Sequence, residues 1–172
     1  LGIVGMGRIG KAIAQRAAAF QMQIAYTART PKADLPYEFV ASVKDLAARS
    51  DFLLAITPGG EATKGMINAE VLQALGPRGF FINIARGSVA DQSALIEALQ
   101  QGTIAGAALD VFDNEPRIDP AFFTLPNVVL TPHMASGTFE TRRAMADRLL
   151  DNLAAGLAGQ KMPSAIPECQ GL

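Results

Sequence analysis

The chain has one cysteine (Cys169), one histidine (His133) and no tryptophan. A lone cysteine excludes an internal disulfide and a cysteine-rich metal centre, and its scarcity fits a reducing compartment. No stretch approaches the roughly 18–20 uninterrupted apolar residues of a membrane-spanning helix. No basic segment followed by an apolar run marks a signal peptide either. An excess of one charge is equally missing. Lys plus Arg (15) against Asp plus Glu (16) leave a net charge of -1, without the basic surplus of a dedicated nucleic-acid binder. These absences predict a soluble, cytoplasmic protein with neither nucleic acid nor membrane as a partner, and no metal. An initiator Met is absent too, and the chain opens inside an apolar run, LGIVG. It therefore reads as a domain excised from something longer.

What is present is enough for one core. The 172 residues are 49% hydrophobic and 18% charged, which rules out global disorder. Apolar runs alternate with segments of helical spacing. Strands are expected at 1–5, 23–28, 51–57, 79–85, 103–112 and 127–131, with helices at 8–20, 42–49, after Asn68, after Asp91 and at 138–158. Ser42, Asn68 and Asp91 are predicted N-caps, with Asp45 at the capping-box position, while Gly76-Pro77 and Gly102 are predicted stops. A Pro-punctuated loop follows at 113–126. Strand–helix alternation of this kind predicts an α/β fold, a doubly wound parallel six-stranded sheet of the Rossmann type, covered on both faces. Residues 1–159 form one expected domain, and 160–172, with Pro163 and Pro167, form a linker or docking tail.

Three groups of residues carry chemistry. The first is GMGRIG (5–10), with glycines at 5, 7 and 10. A ligand-free tight turn would share these glycines, but a strand before and a helix after give the motif its meaning. Gly5 permits the turn, Gly7 admits a pyrophosphate to the backbone, and Gly10 lets helix and strand pack closely. The phosphates then meet the free N–H groups of the helix start, beside Arg8 and Ile9.

The second is a missing acid. A site selecting NAD places Asp or Glu at the end of the second strand, about 20 residues on, for the ribose 2′-hydroxyl. Position 28 is Ala, and Arg29, Thr30 and Lys32 follow. Two cations and a hydroxyl suit a 2′-phosphate, so NADP is the expected cofactor and NAD a second one. A merely solvated basic turn is the alternative.

The third group stands at strand ends: Asn83 and Arg86, Asp110, Glu115 and His133. In doubly wound folds the ligand crevice lies outside the carboxyl ends of the strands. A lone histidine is more often structural than catalytic; its conjunction with an arginine and a glutamate in one crevice changes that balance. Candidate cofactor contacts also include Thr57, Pro58, Thr63, Ile84, Ala85 and Ala135.

GMGRIG, INIARGSVADQSALIEAL (82–99), GAALDVFDNEP (106–116) and LPNVVLTPH (125–133) together resemble the nucleotide-binding domain of the D-isomer-specific 2-hydroxyacid dehydrogenases. The resemblance covers nearly the whole chain, and the R-T-P turn is similar to the NADP-using glyoxylate/hydroxypyruvate reductase branch. It implies reduction of a small 2-oxoacid to the D-2-hydroxyacid, and the reverse oxidation. The implied catalytic set is Arg86 on the substrate's carboxylate and carbonyl, His133 as acid/base, and Glu115 paired with His133. A homodimer is implied as well, and so are a dinucleotide-binding domain at 1–159 and a separate, absent substrate-binding domain towards which the 160–172 tail would lead back. Two segments depart from the family pattern. PGGEAT (58–63) replaces P-L-T-P-E-T, and Met-Ala-Ser follows His133 in place of Ile-Gly.

Reduction of a 2-oxoacid needs a cation, a proton donor and a positioned hydride. Arg86 can fork onto the carboxylate and draw charge to the developing alkoxide. His133 can donate to the carbonyl oxygen, with Glu115 stabilising its imidazolium. Asp110 can accept from the nicotinamide carboxamide and so fix the ring face presented. Two rivals remain open. One is a dinucleotide-sensing module without turnover. The other is a β-hydroxyacid-type dehydrogenase, which would need a catalytic lysine in a context that neither Lys64 nor Lys161 offers.

Overall fold

In the computed structural model, residues 1–166 are described. Cys169 and the end of the expected tail lie outside them. The chain packs as two units, one from Leu1 to Pro132 and a second beginning at His133.

The first unit is an all-parallel sheet of seven strands in the order β3-β2-β1-β4-β5-β6-β7. The strands are β1 Gly2–Val4, β2 Ala25–Thr27, β3 Glu38–Phe39, β4 Phe52–Ala55, β5 Phe80–Asn83, β6 Gly106–Leu109 and β7 Val128–Leu130. Sequence order reverses between β1 and β4, which gives the doubly wound topology its switch point. Seven strands stand where six were expected. The extra one, β3, has two residues, paired as Ala25↔Glu38 and Tyr26↔Phe39. It is too short to show any periodicity and exists through its pairing with β2.

Four helices belong to this unit: α1 Arg8–Ala19, α2 Val43–Ala48, α3 Ala69–Leu75 and α4 Gln92–Gln100. The expected caps form. Ser42 Oγ accepts from the Asp45 N–H, Asn68 Oδ1 from Val71 and Asp91 Oδ1 from Ala94, each satisfying an orphan donor of a helix start. The loop expected at 113–126 contains a 3₁₀ helix, Pro120–Thr124, capped by Asp119.

Two cores form because successive strand residues point to opposite faces. Val4, Leu53, Ala55, Phe81 and Leu109 pack on one face with Leu46, Leu72, Leu75, Leu95 and Leu99 from α2, α3 and α4. Ile3, Tyr26 and Leu54 pack on the other with Ala14 of α1 and the partly buried Ile13, Ile82 and Ile84. A sheet buried on both sides explains the near-continuous apolar strands.

The second unit contains α5, Phe139–Leu157, capped by Thr138 whose Oγ1 accepts from the Thr141 N–H. The Gly137 N–H donates to the Met134 carbonyl at 2.7 Å, turning the chain before that helix. No helix of the described residues is long and apolar enough to cross a membrane.

Candidate active site

The GMGRIG turn joins β1 to α1 at the switch point. Gly5 has φ +108°, and a Cβ there would stand 2.9 Å from the Ile56 carbonyl oxygen. A Cβ on Gly10 would run into the Gly5 carbonyl oxygen. Both positions therefore exclude side chains, as close strand–helix packing requires. Gly7 is different: a Cβ there would meet nothing within 4 Å. Its surroundings are open, beside exposed Arg8 and an Ile9 that is 59% exposed. Gly7 is also the N-cap of α1 without a side-chain cap, whereas side chains cap α2, α3, α4 and α5. An open backbone before an uncapped helix start fits a dinucleotide pyrophosphate.

Beyond β2, Ala28 packs against the second core while Arg29 and Thr30 are exposed and Lys32 is half-buried. No carboxylate occupies the strand end. The one acid of the following turn, Asp34, is held by Lys11 of α1, Nζ to Oδ2 2.6 Å. The hydrogen bond from Lys11 first, and its charge together with that of Lys32, keep the Asp34 carboxyl below its ordinary value. This turn could hold the adenosine ribose of a nicotinamide dinucleotide.

The remaining strand ends are tied laterally. After β4, Thr57 is half-buried and the Thr63 hydroxyl donates to the Pro58 carbonyl at 2.7 Å, closing the 58–63 loop. A Cβ on Gly59 would come within 2.8 Å of Arg86 Cγ, so this departure from the family pattern brings the 58–60 backbone against the arginine stem. After β5, buried Asn83 accepts from the Ala85 N–H at 3.0 Å and donates to the Arg86 carbonyl at 3.1 Å. The Ile84 N–H donates to Ala55, and Arg86 Nη1 donates to the Ala85 carbonyl at 2.6 Å.

A Cβ on Gly87 would collide with the Phe112 carbonyl group, so the Arg86 segment lies on the backbone that leads to Glu115. Glu115 Oε1 accepts from the Phe112 N–H at 2.8 Å. Asp110 is buried, and its Oδ1 accepts from the Thr131 hydroxyl at 2.6 Å. The first unit thus gathers Arg86, Asp110 and Glu115 at the carboxyl end of the sheet. His133 opens the second unit with φ +50°, and Ala135 follows it. The lateral partner Thr131 and the Lys11–Asp34 pair went unmarked in the sequence, and Gly59 was marked only as part of the 58–63 departure. Only the glycine that replaces the family's leucine at 59 offered a signal.

A parallel doubly wound sheet with a glycine cradle at its switch point defines a dinucleotide-binding domain. The chain belongs to the family "D-isomer specific 2-hydroxyacid dehydrogenase, NAD binding domain", whose model matches residues 1–135. It is 48% identical over 162 residues to a glyoxylate/hydroxypyruvate reductase of Arabidopsis thaliana, covering 94% of this chain and 52% of that protein. It is 49% identical over 155 residues to a 2-ketogluconate reductase of Gluconobacter oxydans, covering 90% of this chain and 50% of that protein. Among solved structures, it matches the NADPH-dependent glyoxylate/hydroxypyruvate reductase of Sinorhizobium meliloti in complex with NADP and malonate. That match has a TM-score of 0.95 at 46% identity, covering 98% of this chain and 53% of the other. The chain spans about half the length of the relatives it matches.

Proposed function

We propose that the chain is the NADP(H)-binding half of an enzyme that reduces a small 2-oxoacid of the glyoxylate/hydroxypyruvate kind to the D-2-hydroxyacid. The observation that carries this reading is the end of β2, where Ala28 replaces the carboxylate that would repel a 2′-phosphate and Arg29 and Thr30 stand exposed. An Arg–phosphate fork is charge-assisted and directional, which a solvated surface cation is not. NAD is the second, weaker cofactor in this reading. The relatives named reductases of 2-oxoacids support the substrate class. By family resemblance the full-length protein is read as a homodimer, which light scattering tests, and the single cysteine fits a cytoplasmic location.

The nicotinamide ring supplies the hydride when bound. The work of this chain is to orient and to move a proton. The Gly5–Gly10 turn binds the pyrophosphate, with Thr57, Pro58, Thr63, Ile84, Ala85 and Ala135 lining the way to the reacting end. Asp110 would accept from the carboxamide and so favour one ring face. Arg86 binds the substrate carboxylate bidentately and concentrates positive charge at the ketone oxygen. His133 holds the proton that passes to that oxygen as the carbon–oxygen double bond becomes a single bond. Glu115 acts through His133, orienting the imidazolium.

The test is a double substitution. Ala28→Asp with Arg29→Ala in the full-length protein is expected to turn the preference from NADP to NAD. Losing one charge-assisted contact costs about 1.5–3 kcal/mol, roughly ten- to a hundredfold in NADP affinity. Unchanged relative affinities would make the basic turn a solvated loop and remove the NADP assignment.

A further inference from the structure

Arg29, Thr30 and Lys32 stand on a turn with little backbone structure of its own. Within 28–37 the chain makes one backbone hydrogen bond to itself, Leu35 N–H to the Lys32 carbonyl at 3.2 Å. Ala28, Leu35 and Tyr37 pack against the second core, and among the described residues two polar side-chain contacts tie this turn to the rest of the unit. One is the Lys11–Asp34 pair. The other comes from the core: the Tyr26 hydroxyl accepts from the Lys32 N–H at 2.7 Å and stands 3.5 Å from the Lys32 carbonyl oxygen.

Tyr26 has no slack. It is 1% exposed, packed with Ile3, Met6, Ala14 and Leu54, and set edge-on to Phe39 at 5.6 Å and 63°. Phenylalanine would fill that place equally well, so the hydroxyl is spent on Lys32 alone. A ring locked in a close-packed core gives its hydroxyl a fixed position. Pro31 precedes Lys32, and its ring fixes one backbone torsion of the link back to Thr30. Pinning the Lys32 amide therefore fixes the direction of the backbone that carries Thr30 and Arg29. The Lys11–Asp34 pair adds a second fixed point and turns the single acid of this segment onto a cation instead of towards the phosphate position.

We propose that Tyr26 is a positioning residue for cofactor choice. Its hydroxyl, with Lys11–Asp34 as the second tether, holds the 28–32 turn in the conformation in which Arg29 and Thr30 receive a ribose 2′-phosphate. This rests on the NADP preference proposed above. A turn held in place before binding keeps the ordering cost from being charged against affinity. The effect falls on ligands that carry a 2′-phosphate alone, because the pyrophosphate cradle is built by a separate segment.

The experiment compares wild type and Tyr26→Phe of the full-length protein, titrated with adenosine 2′,5′-bisphosphate, AMP, NADPH and NADH. Tyr26→Phe is expected to weaken adenosine 2′,5′-bisphosphate and NADPH about three- to tenfold, the scale of one neutral hydrogen bond. AMP and NADH are expected to stay within about twofold. The KM for NADPH should rise with kcat unchanged, and the Lys32 amide should exchange faster while sheet amides do not. Equal losses for all four probes, or none, overturn the positioning role. Should Tyr26→Phe fail to fold, Lys32→Pro removes the same bond from the donor side, with Lys32→Met as the control for charge. Lys32→Pro must then weaken adenosine 2′,5′-bisphosphate and NADPH beyond Lys32→Met, and equality of the two variants overturns the proposal. A wild type that binds NADH and AMP as tightly as their phosphorylated counterparts overturns the cofactor reading and this inference with it. A wild type that prefers the phosphorylated probes, with Tyr26→Phe retaining the full preference, overturns this inference alone.

Discussion

Asn83 holds the backbone on which Arg86 stands. From the end of β5 its buried amide accepts from Ala85 at 3.0 Å and donates to the Arg86 carbonyl at 3.1 Å, so one side chain closes the turn that delivers the arginine. Asn83→Ala leaves the buried Ala85 N–H unpaired, and stability is expected to fall by about 1–3 kcal/mol in urea denaturation. In the full-length protein the same variant should lower kcat/KM for a 2-oxoacid more than it weakens the cofactor. Wild-type stability would mean that the turn is held by other contacts.

Gly7 and Gly10 separate cradle from scaffold. A Cβ at Gly10 meets the Gly5 carbonyl oxygen, whereas a Cβ at Gly7 meets nothing within 4 Å. Gly10→Ala is expected to destabilise the fold by about 1–3 kcal/mol, an overpacking cost. Gly7→Ala, at an N-cap with φ −83°, should cost less than about 1 kcal/mol. It should nevertheless weaken both dinucleotides by at least about tenfold, because the new methyl fills the space the pyrophosphate needs. Thermal melts and dinucleotide titrations of the two variants check this. Equal behaviour of both would remove Gly7 from the cradle.

The order of these effects shows how much the sequence revealed. Caps such as Ser42, Asn68 and Asp91 were legible because a side chain meets a backbone three residues away. The glycine turn was legible because strand, turn and helix are contiguous. β3 was not, since its two residues are a strand only beside Ala25 and Tyr26. The Thr131–Asp110 bond joins residues 21 apart, each just past the end of neighbouring strands β7 and β6, a distance that only the sheet closes. In the same way Tyr26 reads in sequence as one more apolar strand residue, and its hydroxyl gains a purpose only when the 28–32 turn folds back over it.

Acid should loosen the β2–β3 edge. Arg49 donates through both Nη1 and Nη2 to Glu38 at 2.7 Å, and this hydrogen bonding holds the Glu38 carboxyl below its ordinary value. A depressed folded-state carboxyl contributes stability that is present above its unfolded pKa and lost as pH falls through the folded one. Glu38→Gln is therefore expected to lower the urea midpoint slightly at neutral pH, with the gap to wild type closing below the ordinary carboxylate range. Added salt should shrink the gap as well, since the pair is exposed. A gap that widens in acid would contradict the sign.

Arg86 is assigned a planar fork rather than a charge. Arg86→Lys keeps the cation but loses the paired N–H donors, so in the full-length protein kcat/KM for a 2-oxoacid should drop by at least about tenfold. Steady-state kinetics decide it, and a lysine variant with wild-type kcat/KM would exclude bidentate carboxylate binding.

The most direct measurement follows loss of NADPH absorbance when the full-length protein is mixed with glyoxylate or hydroxypyruvate, with His133→Ala measured beside it. Oxidation by the wild type is expected, faster with NADPH than with NADH at equal concentration and yielding the D-2-hydroxyacid. His133→Ala should reduce kcat by about 10²- to 10⁴-fold, the scale of a lost general acid, with dinucleotide affinity retained. No oxidation by the wild type, or full turnover without His133, would contradict the proposed reductase.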